Sequence, residues 1–149
     1  MKYRITLLTP DGEQETDIRI YCNEEDPSSP CVTVFINYQD KEIFGQGKDY
    51  LRADAFADLQ KQLPDGVTLK CCLTCRHGNM CPYGNKPNEN FCTKGLIITS
   101  KDDMCNFFDS TNDTDIEERT RKYTDSCKDY QPQSEDFYTY NDFLYYLNK

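Results

Sequence analysis

The sequence predicts an α+β fold with an N-terminal antiparallel sheet of about four strands, one packed helix, a cysteine-rich metal-binding insertion and a helical C-terminal part. Three observations predict it. Apolar residues alternate with a period of two before residue 50, they recur at helical spacing from residue 54, and six cysteines fall between residues 71 and 105. We expect residues 1–149 to form a single domain, with the cysteine-rich segment at about residues 70–106.

The sheet is predicted from two hairpins. Residues 3–7 and 18–22 alternate between apolar and polar side chains, and a Pro-Asp-Gly turn signal at residues 10–12 separates them. Residues 31–38 and 41–47 alternate in the same way across a Gln-Asp turn. Each pair therefore predicts two antiparallel strands.

The packed helix is predicted from a change of period. Phe56, Leu59 and Leu63 lie on one face of a helix, Asp54 is a candidate N-cap, and the Pro-Asp-Gly sequence at residues 64–66 ends the helix. This helix is expected to lie across the sheet.

Short strands and two more helices are predicted in the rest of the chain. Residues 67–72 and 95–100 are candidate strands, Thr114 with Glu117 forms a capping box, and a last helix is expected to begin near Ser134. The predicted buried faces comprise Ile116, Tyr123 and Cys127 in the first of these helices and Phe137, Tyr140, Leu144 and Leu147 in the second.

The composition restricts the class of protein. A formal charge of −9 makes nucleic acid a poor partner, and the chain has no apolar run of the length that a membrane span or a signal peptide requires. We therefore expect a cytoplasmic protein. Its nine cysteines would be reduced there, which favours metal binding or redox chemistry over structural disulfides.

Four cysteines are the candidate metal ligands. Cys72 and Cys75 have the C-x-x-C spacing that lets two thiolates hold one metal, and Cys92 and Cys105 follow at distances suited to completing the site. Zinc with four thiolates and an oxidised four-iron cluster with four thiolates both carry a charge of about −2. The cations expected to offset this charge are Lys70, Arg76 and Lys94.

Other residues remain alternatives at this site. Cys71 adjoins the first proposed ligand, Cys81 lies between the second and the third, and His77 is the only imidazole available to complete a three-cysteine zinc site. The remaining cysteines are interpreted as core or surface residues: Cys22, Cys31 and Cys127.

The motifs CLTC, FCTKG and DDMCNFF resemble the small cysteine-rich iron-sulfur modules in accessory subunits of some glycyl-radical enzymes, whose architecture is like that of high-potential iron proteins. The resemblance covers about residues 72–108, roughly a quarter of the chain. The ligand roles that it implies fall on Cys72, Cys75, Cys92 and Cys105. Cys81-Pro82 and the neighbouring Cys71 depart from that pattern.

These observations lead to three functional hypotheses, none of them enzymatic, since a single histidine offers only one imidazole base. The first is a structural zinc site that supports interaction with another protein. The second is an iron-sulfur electron-transfer or accessory subunit, as the resemblance implies. The third is an acidic inhibitor of a basic partner, of the kind that immunity proteins represent.

Overall fold

The computed structural model describes residues 1–23 and 32–149 and is built on a curled, five-stranded antiparallel sheet. Both predicted hairpins are present, although Cys31, where the third strand was expected to begin, lies outside the described residues. The strands are β1 (Lys2–Thr9), β2 (Gly12–Cys22), β3 (Val32–Tyr38), β4 (Lys41–Gly47) and β5 (Thr68–Lys70), in the order β4-β3-β2-β1-β5. Their inward-facing residues form one apolar core because successive side chains of a strand point to opposite faces.

Helix α1 (Ala53–Gln62) covers one face of this sheet. Its backbone lies so close to β4 that a methyl group at Gly45 would overlap the backbone nitrogen of Leu59. The predicted N-cap is wrong: Arg52 is the N-cap, with φ 69°, and the Asp54 carboxylate accepts hydrogen bonds from the backbone of Lys48 and Asp49. Asp54 therefore orders the loop that precedes the helix.

A second, three-stranded sheet lies in the part of the chain that contains most of the cysteines. It comprises β6 (Gly78–Asn79), β7 (Glu89–Cys92) and β8 (Thr120–Lys122), in the order β6-β7-β8. Helices α2 (Lys101–Ser110) and α3 (Asp113–Arg119) connect β7 to β8. Strand β5 ends where the cysteine-rich segment begins, and β6 and β7 lie within that segment.

Two predictions between residues 95 and 127 are wrong. Residues 95–100 form no strand, because Gly95 turns the chain at φ 85° and Ser100 caps α2, whose existence the sequence reading missed. The helix after residue 112 stops at Arg119, since residues 120–122 pair with β7 instead. Tyr123 and Cys127 are therefore not helical.

The predicted C-terminal helix from Ser134 is also wrong. The structure has only a short helix there, α4 (Phe143–Leu147), and residues 123–142 are turns and isolated bridges. Within this stretch, Gln133 and Asn141 donate side-chain hydrogen bonds to the carbonyl of Leu73. The extended path places these donors against the cysteine-rich segment. None of the helices in residues 1–23 and 32–149 is long and apolar enough to cross a membrane.

Candidate metal centre

The first part of the site is a tight turn at residues 71–78, which we call the cysteine turn. Successive backbone bonds close it: Thr74 donates to the Cys71 carbonyl at 3.1 Å, Cys75 to that of Cys72 at 3.3 Å, and Gly78 to that of Cys75 at 3.0 Å. Strand β5 leads directly into the turn. The local sequence therefore sets Cys72 and Cys75 on one compact turn, as the C-x-x-C spacing predicts.

The second part is residues 123–133, which we call the covering segment. The backbone N–H of Cys72 donates to the Asp125 carbonyl at 2.7 Å, and that of Arg76 donates to the Gln131 carbonyl at 2.8 Å. The N–H of Gln133 donates back to the Thr74 carbonyl at 3.1 Å. The covering segment thus runs along the cysteine turn on hydrogen bonds that join residues more than 50 positions apart in sequence.

Four cysteines from three segments line one cavity of about 220 Å³. Two come from the cysteine turn, one from the end of β7, and one from the covering segment. They are Cys72, Cys75, Cys92 and Cys127. Cys75 is buried, Cys72 and Cys92 are partly exposed, and Cys127 is exposed, so the cavity opens to solvent on the side of the covering segment.

The surroundings favour neutral thiols in the metal-free chain. Burial raises the pKa of Cys72, and the charges of Cys71 and Asp125 raise it further. Burial also raises the pKa of Cys75, but the backbone N–H groups of Gln131 and His77 oppose that rise. Two N–H groups directed at one sulfur stabilise a thiolate. The backbone N–H groups around Cys75 therefore provide part of the stabilisation that a metal-bound thiolate requires.

The thiols interact with one another across the cavity. Cys92 contributes to the raised pKa of both Cys72 and Cys75, and Cys127 contributes to that of Cys75. Thiolates that lie close together repel one another, and a cation among them would relieve that repulsion. No group of three or more Cys, His, Asp or Glu side chains in residues 1–23 and 32–149 is arranged to hold a metal ion as it stands.

The other predicted ligands lie elsewhere or at the rim. Cys105 is on α2, beside Tyr83, whose hydroxyl donates to Asp109 at 2.9 Å, and it does not line the cavity. Cys81 is also outside the lining and donates its backbone N–H to Asn85.

Cys71 and His77 have different positions. Cys71 is fully buried in the main core, where burial raises its pKa to about 11. His77 lines the cavity with its ring edge-on to Phe137, at 5.6 Å between ring centroids. Burial lowers the pKa of His77, and Arg76 and Lys94 lower it further. His77 is therefore neutral at physiological pH and has the protonation state of a ligand.

The cations around the cavity differ in part from those expected. Lys94 lines it, as predicted, and forms an ion pair with Asp129. Lys70 pairs with Glu13 instead, while the Arg76 guanidinium lies over the Phe137 ring at 4.8 Å. Arg121 of β8, which the sequence reading did not select, also lines the cavity and adds positive charge there.

Comparison of the chain with protein-family models, with curated proteins and with solved structures finds no match.

Proposed function

We propose that this chain is a structural zinc protein, in which Cys72, Cys75, Cys92 and Cys127 bind one zinc ion and the region that the metal holds contacts another protein. The observation that carries the proposal is the convergence of four cysteines from three segments on one cavity. Four thiolates complete the tetrahedral shell of zinc and leave no position for a substrate, which is typical of a structural site.

The proposed ligand set keeps three of the four predicted cysteines and replaces Cys105 with Cys127. The three retained residues and Cys127 share the cavity, whereas Cys105 lies on α2 outside its lining. A cysteine side chain has three staggered χ1 positions, so a sulfur can turn toward the ion without displacement of its backbone. The proposal requires rotamer changes of this kind to bring the thiolates to zinc-binding distance.

Zinc would supply stability where apolar packing is thin. Between Cys81 and Glu89 the chain is a run of turns whose side chains are mostly exposed or half-buried. Zinc binding by four thiolates contributes a folding free energy on the order of 10 kcal/mol near pH 7. This contribution would hold β7 and the covering segment against the cysteine turn.

The test is a pair of serine variants in the reduced full-length chain, purified without oxygen or chelator. We expect the parent to contain one zinc per chain, Cys127→Ser to lose most of it, and the matched control Cys105→Ser to retain it. Elemental analysis measures the metal, and thermal denaturation shows whether each variant folds.

The opposite pattern of zinc loss in the two variants would refute the proposed ligand set. Zinc loss in Cys105→Ser with zinc retained in Cys127→Ser would restore the ligand set predicted from sequence and refute the one proposed from the cavity. Absence of stoichiometric metal from the parent, together with unchanged melting after zinc is added, would refute the metal site itself.

An iron-sulfur cluster is the second candidate, and the size of the cavity favours it. The cavity has a volume of about 220 Å³. A single zinc ion fills less of this space than a cluster with its inorganic sulfides. A brown parent protein with iron and sulfide in equal amounts would support the cluster, whereas colourless protein with stoichiometric zinc would exclude it.

The proposed protein contact has its clearest support beside Cys92. Ile97 is 87% exposed and Leu96 is 37% exposed, on a turn that Arg119 anchors through hydrogen bonds to the carbonyls of Cys92 and Lys94. A metal on Cys92 would fix this apolar tip. We expect Ile97→Asp to keep its zinc content and melting temperature and to lose a partner that co-purifies with the parent. Equal recovery of that partner by both proteins would contradict the contact.

Recovery of a partner that falls as the salt concentration is raised would favour the acidic-inhibitor hypothesis, which stays a prediction.

A further inference from the structure

The side chain of Asn90 is buried without any hydrogen-bond partner. Its exposed fraction is 0%, and neither its amide nitrogen nor its carbonyl oxygen is paired within the described residues. Buried side-chain amides are almost always paired, because leaving a donor or an acceptor unsatisfied is costly. An isolated carboxamide in this position indicates a missing partner.

Asn90 lies next to residues of the cysteine cavity. Asn90 and Cys92 lie on the same face of β7, since side chains alternate along a strand, and Asn90 pairs across the sheet with Arg121. Both of these neighbours line the cavity, whereas Asn90 itself does not. The amide nitrogen of Asn90 lies only 2.7 Å from the point where a Cβ of residue 78 would stand.

The same space adjoins the backbone of Cys72. A Cβ at Gly78 would overlap the Cys72 carbonyl oxygen and stand 3.0 Å from its carbon, so the Asn90 amide and the backbone of Cys72 approach each other at Gly78. Backbone N–H groups of Gln131 and His77 oppose the rise in the pKa of Cys75, whereas burial and neighbouring charges raise the pKa of Cys72. A donor without an acceptor therefore lies beside the backbone of a proposed ligand.

We propose that Asn90 is a positioning residue of the metal centre, which donates an N–H···S hydrogen bond to the Cys72 thiolate when the metal is bound. This inference rests on the proposed metal site. A neutral thiol is a weak acceptor, whereas a metal-bound thiolate accepts strongly. The bond satisfies the orphaned amide, fixes the orientation of Cys72 and withdraws electron density from its sulfur.

The experiment is a cobalt(II) titration of the reduced, metal-free chain under anaerobic conditions, followed by zinc affinity from chelator competition. Cobalt thiolate sites show a sulfur-to-metal charge-transfer band whose energy reports hydrogen bonding to sulfur. Asn90→Leu has a similar size and lacks the donor. We expect it to bind zinc about tenfold more weakly and to shift the charge-transfer band to lower energy, while the metal-free variant melts no lower than the parent because the unpaired amide is gone.

Two further variants separate positioning from folding. Asn79→Leu removes a buried asparagine of the same sheet whose amide is already used, donating to Thr93 at 2.8 Å. We expect it to melt lower but to leave the cobalt band in place. Asn90→Asp retains the shape of the side chain and replaces its donor with an oxygen, so it should weaken zinc binding even if the leucine variant does not fold.

The outcomes distinguish this inference from the proposed function. Parent-like affinity and an unshifted cobalt band in Asn90→Leu, or in Asn90→Asp if leucine prevents folding, would overturn the role of Asn90 and leave the metal site standing. A parent chain that binds neither cobalt nor zinc would overturn both.

Discussion

Replacement of Gly78 by alanine tests how closely the cysteine turn is packed. The added Cβ would overlap the carbonyl oxygen of Cys72 and stand 2.7 Å from the amide nitrogen of Asn90. The obstructing carbonyl belongs to the backbone, so a side-chain rotation does not relieve the overlap. The turn itself must shift, and with it the direction of the Cys72 side chain.

The expected cost lies at the upper end of the range for overpacking. Extra methyl groups in packed interiors usually cost about 1–3 kcal/mol, and a backbone collision favours the larger value. About 3 kcal/mol corresponds to a fall in melting temperature of about 6–12 °C for a chain of this size. Thermal denaturation of the reduced, metal-free protein measures this fall, and chelator competition measures the zinc affinity.

Gly45→Ala is the matched control, because its Cβ would collide with the backbone of α1 at Leu59, and neither residue lines the cysteine cavity. Both variants should melt lower, but only Gly78→Ala should also lose zinc affinity. Parent-like melting and affinity in Gly78→Ala would refute the packing argument. An equal loss of affinity in the folded forms of both variants would show that Gly78 has no particular connection with the metal.

Two other predictions concern the support of the turn. Burial raises the pKa of Cys71 to about 11 from an ordinary value of 9.0. The neutral thiol therefore stabilises the metal-free fold below about pH 9, and this stability is lost as the pH rises toward about 11. Urea unfolding near pH 8 and pH 10.5 should differ by about 2 kcal/mol more in the parent than in Cys71→Ala; an equal difference would contradict the shift. Asn141 donates to the carbonyls of Leu73 and Gly78, so Asn141→Leu should lower the unfolding free energy by about 2 kcal/mol. Unchanged urea unfolding would show that solvent replaces both bonds.

The sheet could be predicted because its signals are local. In β3 and β4 the alternation of apolar residues fixes which side chains face the core, and the turn between them needs two residues that tolerate positive φ. Gln39 and Asp40 adopt φ values of 51° and 63°. Neighbouring residues along the chain supply both signals, so no distant contact is needed to read them.

The region after residue 119 could not be predicted in the same way. The spacing of Ile116, Tyr123 and Cys127 fits a helix, but residues 120–122 gain the backbone partners of β7, and Tyr123 packs edge-on against Phe56 of α1, with ring centroids 5.9 Å apart. These partners lie far away in sequence, and local periodicity does not report them. Tertiary pairing therefore overrides the helical pattern here.

For the same reason, the sequence does not indicate Cys127 as a metal ligand. The C-x-x-C pair and Cys92 lie within one cysteine-rich stretch, whereas Cys127 stands alone among charged and polar residues. Hydrogen bonds between the covering segment and the cysteine turn, which are distant in sequence, bring it to the cavity. An isolated cysteine carries no spacing signal, so its neighbours in space had to be known first.

The pairing of the covering segment with the cysteine turn also constrains the order of folding. The bond between Cys72 and Asp125 joins residues about 50 apart in sequence, and contacts of that range form slowly because a large loop must close first. During synthesis, all the residues of the first two hairpins are added to the chain before Asp125. Until then the thiols of the turn stay uncovered, so the nascent chain passes through an interval in which oxidants and chaperones have access to them.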